Sequence, residues 1–207
     1  MARTFLPFPS QHGRSVEDHN STQDIYHPRA DYGNSGLNVA QLFSLSHVWS
    51  LPFFNDTTGW KHAALAGWKY VGTTTIESGF SLDPMLSVDN QGLAIRPNRL
   101  ASASLRGPRT ASEWFNKSAF DRPAFGFFGN AGNGIIGGPG LVNFDMGFYK
   151  DFRVTEHHAI QFRSEFFNIF NHTSFNGVDT TFGDGNFSQA VTAADPRIIE
   201  FALRWQF

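Results

Sequence analysis

Hydrophobic and polar residues alternate with a period of two in five stretches of the chain, which predicts β-strands and not helices. The last stretch, residues 197–207 (RIIEFALRWQF), is the clearest. Ile199, Phe201, Leu203, Trp205 and Phe207 fall on one face, while Ile198, Glu200, Ala202, Arg204 and Gln206 fall on the other. Residues 158–171 repeat the pattern, with Ile160, Phe162, Phe166 and Phe170 against Gln161, Arg163 and Glu165, until Phe167 and Ile169 blur it. Residues 143–155 set Phe144, Met146, Phe148, Phe152 and Val154 against Asp145, Gly147, Tyr149, Asp151 and Arg153. Lys150 interrupts that apolar face near a strand end, where a lysine can reach back toward polar surroundings. Residues 39–52 set Phe43, Leu45, Trp49 and Leu51 against Ser44, Ser46 and Ser50, with His47 as the exception. Residues 67–80 set Trp68, Tyr70 and Ile76 against Lys69, Thr73, Thr75 and Glu77. No segment has a clear helical period; a short helical turn near residues 111–116 is all the pattern admits.

The connections are sorted by length. Residues 156–157 form a tight turn and residues 53–66 a moderate link, whereas residues 81–142 and 172–196 are long. Numbered along the chain, the long connections fall on one side of the predicted sheet and the shorter ones on the other. Outer-membrane barrels have this asymmetry, with brief periplasmic turns and extended extracellular loops. A structureless connection of such length argues against a compact soluble domain. The predicted fold is therefore all-β, an antiparallel meander of about five strands from a transmembrane barrel. If Phe207 ends in the periplasm, both long loops lie outside.

Composition points the same way. Phe occurs 23 times and Gly 20 times, and only 16% of residues are charged, against about 25% in an ordinary soluble domain. Net charge is −2, which leaves no electrostatic footprint for nucleic acid. No run of about 18 apolar residues is available for a transmembrane helix. A mean hydropathy of −0.28 is compatible with membrane strands, in which only every second residue is apolar. The chain has no cysteine, so disulfide and thiol chemistry are absent. Residues 1–10 lack the charged and apolar blocks of a secretory signal, and a barrel without one is expected to be a fragment of a longer protein.

The candidate chemical motifs are weak. GNGIIG at residues 132–137 has dinucleotide-binding spacing, but no apolar strand precedes it, and Gly138 and Pro139 stand where a helix should begin. It is read as a flexible turn. His157 and His158 are adjacent, and strand neighbours point to opposite faces; His12, His19 and His27 are scattered. Asp179, Asp184 and Asn186 do not have calcium-loop spacing. Glu165 and Glu200 with Arg163 and Arg204 read as a charge-paired wall and not as an acid/base pair. No catalytic, cofactor-binding or metal-binding residues are assigned, and no enzymatic activity is expected.

The run DMGFYKDFRVTEHHAIQFRSEFFNIFNHTSFN (residues 145–176) resembles the penultimate hairpin of TonB-dependent transporters of the Oar-like, carboxypeptidase-regulatory-domain-containing class, with EFFNIFNH its most specific part. DPRIIEFALRWQF (195–207) resembles their closing strand, and FGNAGNGIIGGPGLVNFD (128–145) their last long loop re-entering the membrane. RADYGNSGLNVAQLFSLSHVWSLPF (29–53) and LAGWKYVGTTTIESGFSL (65–82) resemble the two preceding strands, and EWFNKSAF (113–120) a loop element. The likeness covers residues 26–207 and leaves residues 1–25 as an unplaced polar segment.

The resemblance implies a parent barrel of about 22 strands in the bacterial outer membrane, with a plug and a TonB-contacting part supplied elsewhere. The smallest closed barrels have about 8 strands, so this chain alone is not expected to transport. Its implied partners are outer-membrane lipid, the remaining strands and plug, TonB and the barrel-assembly machinery. Phe201, Leu203, Trp205 and Phe207 would form the assembly signal, recognised by strand pairing. Phe43, Leu45, Trp49, Trp68, Tyr70, Phe144, Met146, Phe148, Ile160, Phe162, Phe166 and Ile199 would face lipid. Asp145, Arg163, Glu165, Glu200 and Arg204 would face the lumen. Two rival readings are a structural or adhesive outer-membrane protein and a soluble carbohydrate-binding sandwich that uses Trp49, Trp60 and Trp68 as stacking platforms.

Overall fold

The computed structural model describes residues 22–88 and 95–207; His12, His19 and residues 1–10, which carry no secretory-signal pattern, lie outside them. Five long strands form one sheet: β1 (Leu42–Ser50), β2 (Lys69–Glu77), β3 (Leu141–Arg153), β4 (Ala159–Phe167) and β5 (Ile198–Gln206). Their order across the sheet is their order along the chain. β1–β2, β3–β4 and β4–β5 run antiparallel in continuous register. The fold is the all-β antiparallel meander expected from the alternation; four strands fall inside the stretches that predicted them, and β3 begins two residues before its stretch of 143–155. Among the described residues no helix is long and apolar enough to cross a membrane.

The chain divides into two compact units. The first contains the sheet: Leu42–Glu77, Val142–Thr173 and Asp195–Phe207. Its β1–β2 link is not the plain loop expected. It carries a seven-residue helix, α1 (Gly59–Leu65), too short to display a 3.6-residue period in sequence. The Trp68 indole Nε1 donates to the Ala64 carbonyl (3.0 Å), and the Lys150 ammonium donates to the Ala66 carbonyl. Both occupy carbonyls at the helix C-terminal end, where orphan acceptors need partners and a cation is favoured. Lys150 thus leaves the apolar face of β3 by folding back over the Phe152 ring (5.3 Å) toward the strand end.

The second unit gathers residues up to Gln41, Ser78–Leu141 and Ser174–Ala194. These are the two long connections and the preceding segment, and they are not structureless. Phe115, Phe120 and Phe187 meet edge to face at centroid distances of 5.1–5.8 Å, with Phe182 against Phe187 at 5.3 Å. Offset and edge-to-face rings in this range are the favoured aromatic geometry. Ala103, Ala119, Ala131 and Ile136 complete the buried core. Short ladders knit the connections together. Ser81–Leu82 pairs with Ile136–Gly137, Asn98–Arg99 with Phe120–Asp121, and Phe175–Val178 with Ala190–Ala193. Met85–Leu86 pairs in parallel with Thr181–Phe182, joining the two long connections directly.

Two local elements differ from what the pattern predicts. The turn expected at residues 111–116 is displaced to a 3-10 turn at Lys117–Ala119. It is held there because Ala119 and Phe120 are drawn into the core. The segment read as a flexible turn at residues 132–137 ends in a strand with Ile136 fully buried. A second 3-10 turn, Pro28–Asp31, follows Asp24, whose carboxyl is held below its ordinary pKa by the His27 ring nitrogen 2.6 Å away.

Candidate functional site

Directly opposed residues in an antiparallel ladder project to the same side, so the register defines two faces. On the first, Phe43, Leu45 and Trp49 of β1 oppose Ile76, Thr74 and Tyr70 of β2. Tyr70 contacts Phe148 of β3 (5.4 Å). Met146 opposes Phe166, Phe148 opposes Ser164, Lys150 opposes Phe162 and Phe152 opposes Ile160. Ile199, Phe201, Leu203 and Trp205 of β5 then oppose Phe166, Ser164, Phe162 and Ile160. Trp68 packs edge-on against Phe162 (6.0 Å), and Phe144 packs against Phe170 (5.1 Å). All twelve residues predicted to face lipid and the predicted assembly residues Phe201, Leu203 and Trp205 therefore share one side; Phe207 follows the end of β5.

Much of that side is uncovered by protein. Leu203 is 74% exposed and Phe201 69%. Exposed apolar patches above a few hundred Å² mark protein or membrane contact surfaces. His47 stands in the middle of the apolar face of β1, opposite Gly72. Its ring tilts against Tyr70 at 5.0 Å, over the space that Gly72 leaves open.

The other side is mainly polar, with Val48 opposite Val71 and Ile198 opposite Phe167 as exceptions, and it is linked across strands. One row runs Arg204, Gln161, Asp151 from β5 to β3. Gln161 Nε2 donates to Asp151 Oδ1 (2.8 Å), and Lys69 Nζ of β2 lies 4.0 Å from Asp151 Oδ2. The next row is Ala202, Arg163, Tyr149, and the next Glu200, Glu165, Gly147. Arg163 Nη2 (2.5 Å) and Tyr149 Oη (2.7 Å) both donate to Glu165 Oε1. The guanidinium also lies over the Tyr149 ring (4.9 Å). Four predicted polar residues, Arg163, Glu165, Glu200 and Arg204, thus share this face. Asp145 acts more locally. It is buried, and its carboxylate accepts the Asn168 backbone N–H (3.0 Å) and the Asn143 amide (2.9 Å). Asn168 leaves β4 with φ of 47°, and Asp145 holds that departure.

Tyr149, Gln161 and Lys69 belong to the linked polar face but do not stand out in sequence, because alternation gives the side and not the partner. Gly147 is part of the same arrangement. A Cβ there would lie 2.8 Å from Tyr149 Oη, so the missing side chain makes room for the tyrosine. Gly147→Ala is expected to displace the hydroxyl and cost about 1.5–3 kcal/mol, similar to Tyr149→Phe, since each loses one hydrogen bond to a charged group. The double variant should cost little more than either single one. Denaturant unfolding of the reconstituted protein checks this; full additivity would disprove the coupling.

The family model described as an outer membrane beta barrel domain matches residues 9–200. No curated protein and no solved structure matches the chain. With a five-stranded antiparallel sheet of two contrasting faces and a match across most of its length, the chain belongs to the outer membrane β-barrel domain family, whose place is the bacterial outer membrane.

Proposed function

We propose that this chain is a section of barrel wall in a TonB-dependent receptor that takes up a bulky solute. The apolar face would meet lipid, the polar face would line the interior, and β5 would present the assembly signal. The short turns would be periplasmic and the two long connections extracellular. The observation that carries the membrane part is the sorting of side chains over five strands: one side apolar and uncovered, the other tied by charge and hydrogen bonds. TonB dependence is supported by the motifs of residues 26–207 and by a long-loop unit with its own core, suited to contact a large solute.

The chain has no cysteine, so it adds no background to single-cysteine labelling. Spin labels at Leu203 and Phe162 in the full-length protein in vesicles are expected to collide with oxygen more than with a water-soluble nickel chelate. A label at Arg204 should do the opposite. Equal nickel access at Leu203 and Arg204 would remove the membrane-wall reading. TonB linkage is tested by cross-linking the full-length protein to TonB in cells, with a cross-linked species expected.

A structural or adhesive role is the second reading. It is favoured by Phe125 and Phe127, which the long-loop unit leaves 69% and 68% exposed. Surface binding that depends on these two rings, with no cross-link to TonB, would favour it.

A further inference from the structure

We infer that the connection between β1 and β2 is an interfacial anchor, seated in the headgroup region of the phospholipid leaflet at the short-turn end of the sheet. The inference rests on the reading that the apolar sheet face meets lipid.

The connection is far longer than two antiparallel neighbours require, since such strands can be joined by a two-residue turn. Residues 51–68 lie between β1 and β2, and none of the residues of α1 is buried. Phe53, Phe54 and Trp60 are 54%, 53% and 74% exposed. Full burial of one such side chain is worth about 1.5–3 kcal/mol, so three rings left in water forgo much of that gain. Phe54 also has φ of 63°, a costly backbone conformation for a bulky residue. It is fixed there because its carbonyl accepts both the Thr57 N–H (3.2 Å) and the Thr57 hydroxyl (2.5 Å).

The connection is pinned to the sheet. Leu51 N–H donates to the Trp68 carbonyl (2.8 Å), and Trp68 and Lys150 occupy the carbonyls of Ala64 and Ala66. A pinned, strained turn that holds rings outward is built to present them.

The occupant follows from continuity and residue type. The Phe53 ring contacts Trp49 (6.0 Å), so the patch extends the apolar sheet face without a break. Trp49, Trp60, Trp68 and Trp205 all lie at this end, four of the five tryptophans in the chain. Tryptophan favours the membrane–water boundary, where its ring is half solvated. Lys61 and His62 follow Trp60 on the exposed helix and can reach headgroup phosphates. Charge is not the main term. Lys61, Lys69, Lys150, Arg153 and Arg204 lie at this end with Asp56, Asp151 and Glu156, an excess of only two. The anchor should therefore hold in high salt and in zwitterionic lipid.

The test uses the full-length protein in phosphatidylethanolamine–phosphatidylglycerol vesicles, with spin labels at Trp60, Glu156 and Leu203. The label at Trp60 is expected to show an oxygen-to-nickel collision ratio several-fold above that at Glu156 and below that at Leu203, unchanged by 1 M salt. A Trp60 ratio equal to that of Glu156 would overturn the anchor while leaving the lipid face intact. A Trp60 label shielded from both reagents would also overturn it, in favour of a protein partner. A water-exposed Leu203 label would overturn the underlying reading and the anchor with it. Because a cysteine removes the indole, Trp60→Phe provides a second measurement. Lipids brominated near the headgroups should quench the parent's tryptophan emission more than the variant's; equal fractional quenching in the two would count against the anchor.

Discussion

Phe201→Arg is expected to destabilise the reconstituted protein by about 2–4 kcal/mol, the cost of an arginine on a barrel's lipid side near the bilayer midplane. Phe201 is central in β5, opposes Ser164 and stacks on Phe162 (centroids 6.2 Å, 24° between planes). No carboxylate faces it from β4: the acidic residue nearest in the ladder, Glu165, projects to the other side, opposite Glu200. An arginine at 201 would find neither water nor a counter-ion.

The neighbouring position makes the control. Glu200→Gln removes one of two carboxylates placed directly opposite each other, a destabilising arrangement in a sheet, so it should change stability by no more than about 0.5 kcal/mol in either direction. Urea titration of folded protein in vesicles reads both. A Phe201→Arg variant as stable as Glu200→Gln would mean that both sides of β5 meet water.

The contrast between these adjacent residues is what makes the sheet legible in sequence. A strand between two different media must alternate, and a one-residue slip would exchange the media for every side chain. The five strands and the faces of Phe162, Leu203, Arg163 and Arg204 follow from that constraint alone. Even the exception at Lys150 is readable, because a lysine near a strand end has a long stem with which to leave the face.

Elements held by other means leave no periodic trace. α1 buries nothing, so no apolar stripe marks it. The core of the long-loop unit is assembled from Phe115, Phe120, Phe182 and Phe187, residues whose spacing reflects tertiary contact and not a repeat. EWFNKSAF stands out as a motif; that Phe115, Ala119 and Phe120 within it are core residues is visible only once Phe187 is brought beside them.

Arg96→Ala is expected to cost about 3–5 kcal/mol within the long-loop unit, the usual result of removing one partner from a buried ion pair. Arg96 is 2% exposed. Its Nη2 donates to Asp31 Oδ1 (2.5 Å), and its Nη1 donates to Asn133 Oδ1 (2.8 Å) and the Ala30 carbonyl (3.1 Å). Its backbone N–H donates to Gln23 Oε1 (3.1 Å), while the Gln23 amide donates to the Gly129 carbonyl (2.9 Å). One guanidinium therefore joins the segment around Asp31 to the loop around Asn133. Truncation leaves the Asp31 carboxylate, itself 17% exposed, without its cation.

Arg96→Lys should recover only part of the loss, because an ammonium is a single point charge and cannot span acceptors arranged for a planar fork. Replacing both charges, Arg96→Met with Asp31→Leu, should cost less than Arg96→Ala alone, since no unpaired charge remains. Amide exchange separates this from global unfolding. Protection should fall at Tyr32 and Ala131, which donate backbone hydrogen bonds in these segments, and persist through the β4–β5 ladder, where none of these residues takes part. Equal protection in Arg96→Ala and the parent would mean that the guanidinium fills space in this unit without holding its segments together.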